Sequence, residues 1–179
     1  MALLQAMQRK DKGFLVLDTH AGCGFYDLSS AESRQSDEAA RGIKSLSSSA
    51  SVPHGQPLQP TQFLSQFLGE LQRLRTAAGL GSGYPGSPAW TLAQLRPQDR
   101  LVAFEAQPAE HRRLEKSLAQ LSTTLEPRVK RHVKCVCDDG FAGLAGWLPP
   151  SERRALILID PPYENSDEDF SAVKAALST

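Results

Sequence analysis

Four short strand-like runs, each closed by an acidic residue, constrain the fold of this chain more than any other feature. They occupy residues 14–17, 101–104, 132–137 and 155–159. The acids that follow them are Asp18, Glu105, Asp139 and Asp160. The first, second and fourth runs are wholly apolar, which is typical of strands buried on both faces of a parallel sheet. The runs alternate with segments of helical periodicity, so the sequence predicts an α/β fold with helices on both faces of the sheet.

The intervening segments carry helical signals that set the expected order of elements. Helices are predicted over residues 1–10, 63–74, 88–95, 108–121, 141–148 and 167–177. Ser87 and Pro88 are predicted as the N-cap and first residue of one of these helices. Residues 29–61, rich in Ser, Gln, Pro and Gly, read as an insertion or a loose loop.

The first predicted strand runs into a turn with two glycines, Gly22 and Gly24. Glycine allows a ligand to approach the backbone closely and accepts positive φ. A nicotinamide-binding fold would carry a third glycine and an acid about twenty residues further on. Here the next strand-end acid is Glu105, so that class is disfavoured. The long gap is explained if residues 27–98 form an inserted helical subdomain.

The strand-end acids are expected to meet, because ligands bind at the carboxyl ends of parallel strands. Asp18 is expected in the ligand pocket with the two glycines. Glu105 suits a ribose, since a carboxylate accepts hydrogen bonds from two vicinal hydroxyls. Asp139 suits the amino group of an adenine. The alternatives are an ordinary loop acid for Glu105 and a turn-forming Asp-Gly pair for Asp139.

The sequence Asp160-Pro161-Pro162-Tyr163 directly follows the fourth apolar run. It resembles the motif of amino-methyltransferases, which methylate adenine N6 or cytosine N4. An aromatic amine is a poor nucleophile because its lone pair is delocalised. A carboxylate and a proline carbonyl that accept its two N–H groups would localise that lone pair, and a tyrosine offers a face for a flipped base. The alternative is a strand followed by a proline-rich turn.

Several segments together resemble one family, the bacterial 23S ribosomal RNA adenine-N6 methyltransferases of the RlmJ type. The matching segments are 14–24, 84–88, 104–105, 139–141 and 156–164. The resemblance implies a Rossmann-like class I methyltransferase that uses S-adenosylmethionine. It implies cofactor contacts by His20, Ser87, Glu105, Asp139 and Gly140. It also implies that Asp160 is the catalytic residue.

The chain also departs from the family pattern. The family begins with a histidine-rich helix and continues through further strands, so the sequence reads as a methyltransferase domain shortened at both ends. Its fourth strand is then expected at a sheet edge, where it invites pairing with another chain. Two alternatives remain open: a DNA adenine-N6 methyltransferase, or a non-catalytic remnant that binds cofactor or nucleic acid.

Composition narrows the remaining classes. Twenty basic and twenty acidic residues give a formal net charge of zero, which argues against a wholly basic nucleic-acid binder. A local basic run, 128–134, has a solvated strand edge as its simpler interpretation. Cys23, Cys135 and Cys137 predict neither a disulfide framework nor a metal site, and the last two are expected on one strand face. We expect no membrane span, a cytoplasmic location and, for the full-length form, a monomer.

Overall fold

In a computed structural model, residues 1–27, 62–81, 83–125, 131–161 and 166–176 are described. The strands are β1 (Leu15–Asp18), β2 (Phe25–Asp27), β3 (Gly83–Pro85), β4 (Arg100–Phe104), β5 (His132–Val136) and β6 (Ala155–Leu158). The helices are α1 (Ala2–Gln8), α2 (Gln62–Ala78), α3 (Ser87–Gln94), α4 (Pro108–Leu125), α5 (Gly140–Leu144) and α6 (Ser166–Ala176). A 3-10 helix, Ala145–Trp147, extends α5. The predicted insertion or loose loop, residues 29–61, lies outside the described residues.

The four predicted strands form one parallel sheet in the order β5-β4-β1-β6. Asp18 stands in register with Ala103 on one side and Leu158 on the other. The chain proceeds from β1 to β4 and β5 in one direction, and then crosses to the opposite side of β1. The strand order therefore reverses between β1 and β6, where open α/β sheets bind their ligands.

Alternating side chains divide the core into two layers, one on each face of the sheet. Val16, Leu101 and Ala103 belong to the larger cluster, which also holds buried residues of α2, α3 and α4. Leu17 and Phe104 belong to the smaller cluster with Leu144 of α5. The prediction of a Rossmann-like α/β fold with helices on both faces is confirmed.

An antiparallel pair of short strands, β2 and β3, was not predicted from the sequence. Phe25 pairs with Pro85, and Tyr26 pairs with Tyr84. Helices α2 and α3 then pack on the main core, since Leu74 and Leu92 are fully buried in the larger cluster. The described part of segment 27–98 therefore shares its core with the sheet, and its status as a separate subdomain stays a prediction.

Two arginines tie the end of α1 to the amino ends of the strands. Arg96 donates to the backbone carbonyls of Gln8, Lys10 and Lys12, and Arg154 donates to the carbonyls of Met7 and Lys12. Both guanidinium groups lie over the ring of Phe14, 5.9 Å and 5.7 Å from its centroid. These charge-assisted bonds satisfy carbonyls that the helix end leaves without a partner.

Two local predictions are wrong. The N-cap of α3 is Gly86 rather than Ser87, which is already helical and directs its hydroxyl to Asp18. Cys135 packs against the larger cluster as expected, but Cys137 is exposed because β5 ends at Val136. The expected edge position of the fourth strand is confirmed, since β6 pairs only with β1 within the described part of the chain. No described helix is long and apolar enough to cross a membrane.

Candidate active site

The carboxyl ends of the four parallel strands form one rim that carries all four predicted acids. Ala103 and Leu158 are the register partners of Asp18. Glu105 lies two residues after Ala103, and Asp160 lies two residues after Leu158. Asp139 follows β5, the neighbour of β4. Asp160 and Glu105 both act electrostatically on Asp18, which indicates that these carboxylates lie near one another.

Asp18 is the most deeply buried acid of the rim, with 2% of its surface exposed. Its Oδ2 accepts a 2.7 Å hydrogen bond from the hydroxyl of Ser87, and its Oδ1 accepts a longer one, 3.4 Å, from the backbone N–H of His20. Burial is the main cause that raises the pKa of this carboxyl to about 6; the two hydrogen bonds oppose the shift, and the negative charges of Asp160 and Glu105 add to it.

His20 lies among the other three rim acids. Burial lowers the pKa of its imidazole, while the charges of Asp139, Glu105 and Asp160 oppose that shift. Its ring contacts the Phe141 ring edge-on, with 4.9 Å between centroids.

Thr19 links His20 to the end of β6. Its hydroxyl oxygen lies 3.0 Å from the carbonyl oxygen of Leu158 and 2.8 Å from Nδ1 of His20. The backbone N–H of Thr19 donates to the same carbonyl. The imidazole is therefore held at the rim through Thr19 in either tautomer.

Glu105 and Asp139 each use one carboxylate oxygen in local backbone bonds. Glu105 Oε1 accepts from the N–H of Gln107 at 2.8 Å. Asp139 is the N-cap of α5, and its Oδ1 accepts from the N–H groups of Phe141 and Ala142 at 2.7 Å and 3.1 Å. Asp139 thus has a structural role whether or not it also binds a ligand.

Two glycines of the rim lie against other groups. Gly22 has φ of +59°, and a Cβ there would collide with the hydroxyl of Tyr26. Gly140 lies against the backbone of Thr19, whose carbonyl oxygen a Cβ would also meet. Gly24, the second predicted glycine of the turn, also has positive φ, 78°. Its carbonyl accepts a 2.9 Å bond from the N–H of Gly86.

Asp160 is exposed beyond β6, and Pro161 beside it is buried. The acid thus lies on the rim, at an exposed position just beyond β6. Pro162 and Tyr163, the other predicted substrate-binding residues, lie outside the described residues. Over the described ranges, no group of three or more His, Cys, Asp or Glu side chains is arranged to hold a metal ion.

Three residues at the rim were missed by sequence reasoning: Thr19, Tyr26 and Phe141. Thr19 directly follows β1 and bonds to the end of β6, so its position after a strand was an available signal. Tyr26 lies across Gly22 and Gly86, which depends on the unpredicted β2–β3 pair. Phe141 contacts His20 from α5, and no sequence signal joins those two positions.

A doubly wound parallel sheet with an acidic, glycine-containing rim at its switch point defines a Rossmann-like α/β protein. Comparison with known proteins narrows the class. Residues 11–179 match the family described as ribosomal RNA large subunit methyltransferase D, RlmJ. The chain therefore belongs to the RlmJ family of ribosomal RNA large subunit methyltransferases.

Individual relatives agree with this family. The chain is 34% identical over 175 residues to ribosomal RNA large subunit methyltransferase J of Haemophilus influenzae, and 33% identical over 176 residues to that of Escherichia coli K12. Each alignment covers 98% of this chain and 56% of the relative, so the chain spans little more than half the length of these relatives. A crystal structure of a Legionella pneumophila protein matches with a TM-score of 0.69 and 33% identity, over 99% of this chain and 60% of that one.

Proposed function

We propose that this chain provides the cofactor site and the catalytic acid of an enzyme that methylates N6 of adenine in 23S ribosomal RNA, with S-adenosylmethionine as donor. The observation that carries the proposal is Asp160, an exposed acid at the end of β6, beside the point where the strand order reverses. The relatives are named as ribosomal RNA large subunit methyltransferases, which supports an RNA substrate. Such a substrate agrees with a cytoplasmic location, and the expected monomer stays a prediction.

The residues of the rim fit S-adenosylmethionine. The turn after β1 needs glycine at Gly22 and Gly24, which both have positive φ. Glu105 is suited to the ribose hydroxyls and Asp139 to the adenine amino group, while His20, Ser87 and Gly140 complete the set that would hold the cofactor. The carboxylates of the rim also favour a ligand that carries positive charge. When bound, S-adenosylmethionine supplies an electrophilic methyl group on a sulfonium.

Residues of the chain itself would carry out the rest of the proposed chemistry. In the proposed mechanism the carboxylate of Asp160 accepts one N–H of the adenine amine, and a carbonyl of the Pro161–Pro162 segment accepts the other. These two acceptors favour a pyramidal nitrogen with a localised lone pair. Tyr163 offers an aromatic face to the flipped base. Rate enhancement then comes mainly from holding amine and donor in line.

Methyl transfer from radiolabelled S-adenosylmethionine to protein-free large-subunit RNA, with a matched DNA as second substrate, tests the proposal. Asp160→Ala is expected to lower transfer by about a hundredfold while cofactor affinity, measured by calorimetry, stays within about threefold. The matched control is Asp11→Asn, which changes an exposed acid before β1, at the other end of the sheet.

Each outcome of this assay separates one alternative. Transfer to RNA and not to DNA supports the proposal, whereas transfer to DNA alone favours a DNA adenine methyltransferase. Cofactor binding without transfer to either substrate favours a non-catalytic module. Normal transfer by Asp160→Ala would contradict the catalytic assignment.

A further inference from the structure

The buried hydrogen bond between Asp18 and Ser87 joins the start of α3 to the end of β1. Ser87 is the first residue of α3, and no side chain caps that helix. Its hydroxyl instead donates to Asp18 Oδ2 at 2.7 Å. One residue earlier, the N–H of Gly86 donates to the carbonyl of Gly24 at 2.9 Å. Gly86 and Ser87, at the start of α3, are thus fixed to the end of β1 and to the glycine turn that follows it.

The environment of Asp18 differs from that of a group that contacts a ligand. Only 2% of its surface is exposed, and each carboxylate oxygen already accepts a hydrogen bond from the protein. Asp160, in contrast, is exposed on the same rim. Because almost none of its surface is exposed, Asp18 offers a ligand little access, and losing the Ser87 bond would leave a buried acceptor without that partner.

We propose that Asp18 is a positioning residue, which holds Ser87 and the glycine turn in the arrangement that binds the cofactor without itself contacting the cofactor. The inference rests on the proposed function and changes the role that the sequence suggested for this acid. Its effect on the cofactor passes through the hydroxyl of Ser87. A buried, negatively charged acceptor near the first turn of α3 also interacts favourably with the positive end of that helix.

A double-mutant cycle on cofactor affinity tests this inference. Asp18→Ala and Ser87→Ala are each expected to weaken S-adenosylmethionine binding about tenfold, because either change removes the same bond. The double variant is expected to bind about as weakly as either single variant, since positions that act through one bond do not add. Asp18→Asn is expected to stay within about threefold of the wild type, because its amide oxygen still accepts from Ser87.

Asp99→Asn is the matched control for the loss of a buried carboxylate. Asp99 is fully buried and accepts bonds from Arg96 and Phe14, but it precedes β4 and lies at the opposite end of the strands. Asp99→Asn is expected to lower stability in urea and to leave cofactor affinity unchanged. If Asp18→Ala fails to fold, Ser87→Ala and Asp18→Asn still decide the question.

Two results would overturn the inference. One is a double variant whose loss of cofactor affinity equals the product of the two single-variant losses. The other is a combination of two findings: Asp18→Asn loses as much cofactor affinity as Asp18→Ala, and Ser87→Ala loses none. That combination would indicate that the charge of Asp18 contacts the cofactor directly. Failure of the wild-type chain to bind S-adenosylmethionine would instead contradict the proposed function itself.

Discussion

Gly140 packs directly against the backbone of Thr19, so that α5 begins in contact with the end of β1. A Cβ built on Gly140 would lie 2.7 Å from the Cα of Thr19 and would collide with its carbonyl oxygen. Thr19 in turn bonds to Leu158 through both its backbone N–H and its hydroxyl. The approach of α5 to the rim therefore depends on the absence of a side chain at residue 140.

Gly140→Ala is expected to displace the start of α5 from β1, because the colliding atoms belong to a backbone that the sheet holds in place. We expect a loss of stability of about 1 to 3 kcal/mol, as for other overpacked sites, and a loss of cofactor affinity of about tenfold or more. Urea unfolding and calorimetry measure the two effects. Gly146→Ala, where a Cβ meets nothing within 4 Å, is the matched control and is expected to change neither.

Asp139 is expected to show separable structural and ligand-binding roles. Asp139→Ala removes the acceptor for the N–H groups of Phe141 and Ala142, at a cost of about 1 kcal/mol in stability. Asp139→Ser keeps a capping oxygen and is expected to recover most of that stability without recovering cofactor affinity. If the serine variant binds S-adenosylmethionine normally, Asp139 acts only as a helix cap.

The stability of the folded chain is expected to depend on the titration of Asp18. Its folded-state pKa of about 6 lies above the ordinary value of 3.8, so the folded chain holds this proton more tightly than the unfolded chain. The stabilisation is complete below the unfolded pKa and is lost as pH rises through the folded pKa. The stability of wild type relative to Asp18→Asn should therefore fall by about 2 kcal/mol between about pH 4.5 and about pH 7.5.

Urea unfolding of both proteins across that pH range measures the difference. Other carboxylates titrate in the same window, but they are common to both proteins and cancel in the comparison. A difference that stays constant with pH would show that Asp18 remains ionised in the folded chain throughout, contrary to the expected effect of its burial.

The sheet was predictable because short, wholly apolar segments are typical of parallel strands, and the two central strands, β1 and β4, are buried. Phe14, Leu101 and Leu156 accordingly mark three strands directly in the sequence. β2 and β3 were missed since each has only three residues, and Phe25 is their one buried aromatic. Short strands of this kind are stabilised by tertiary contacts, which a local pattern does not contain.

Some features of the candidate site were also predictable from the sequence, and others were not. Asp160 and Glu105 could be assigned to the rim because the carboxyl ends of parallel strands meet at one edge. The burial of Asp18 and its bond to Ser87 could not be predicted, because 69 residues separate the two positions. The sequence predicted Asp139 as part of a turn-forming Asp-Gly pair, but it did not predict the hydrogen bonds by which Asp139 caps α5.

The β2–β3 pair brings residues that are far apart in the sequence side by side, because Phe25 and Pro85 are register partners. Pairing these two distant positions closes one long stretch of chain, and the entropic cost of such a closure grows only logarithmically with length. Each doubling costs about 0.6 kcal/mol. The position of β3 beside β2, and with it the alignment of β1 and β4, is therefore expected to depend little on the length of the chain that joins them.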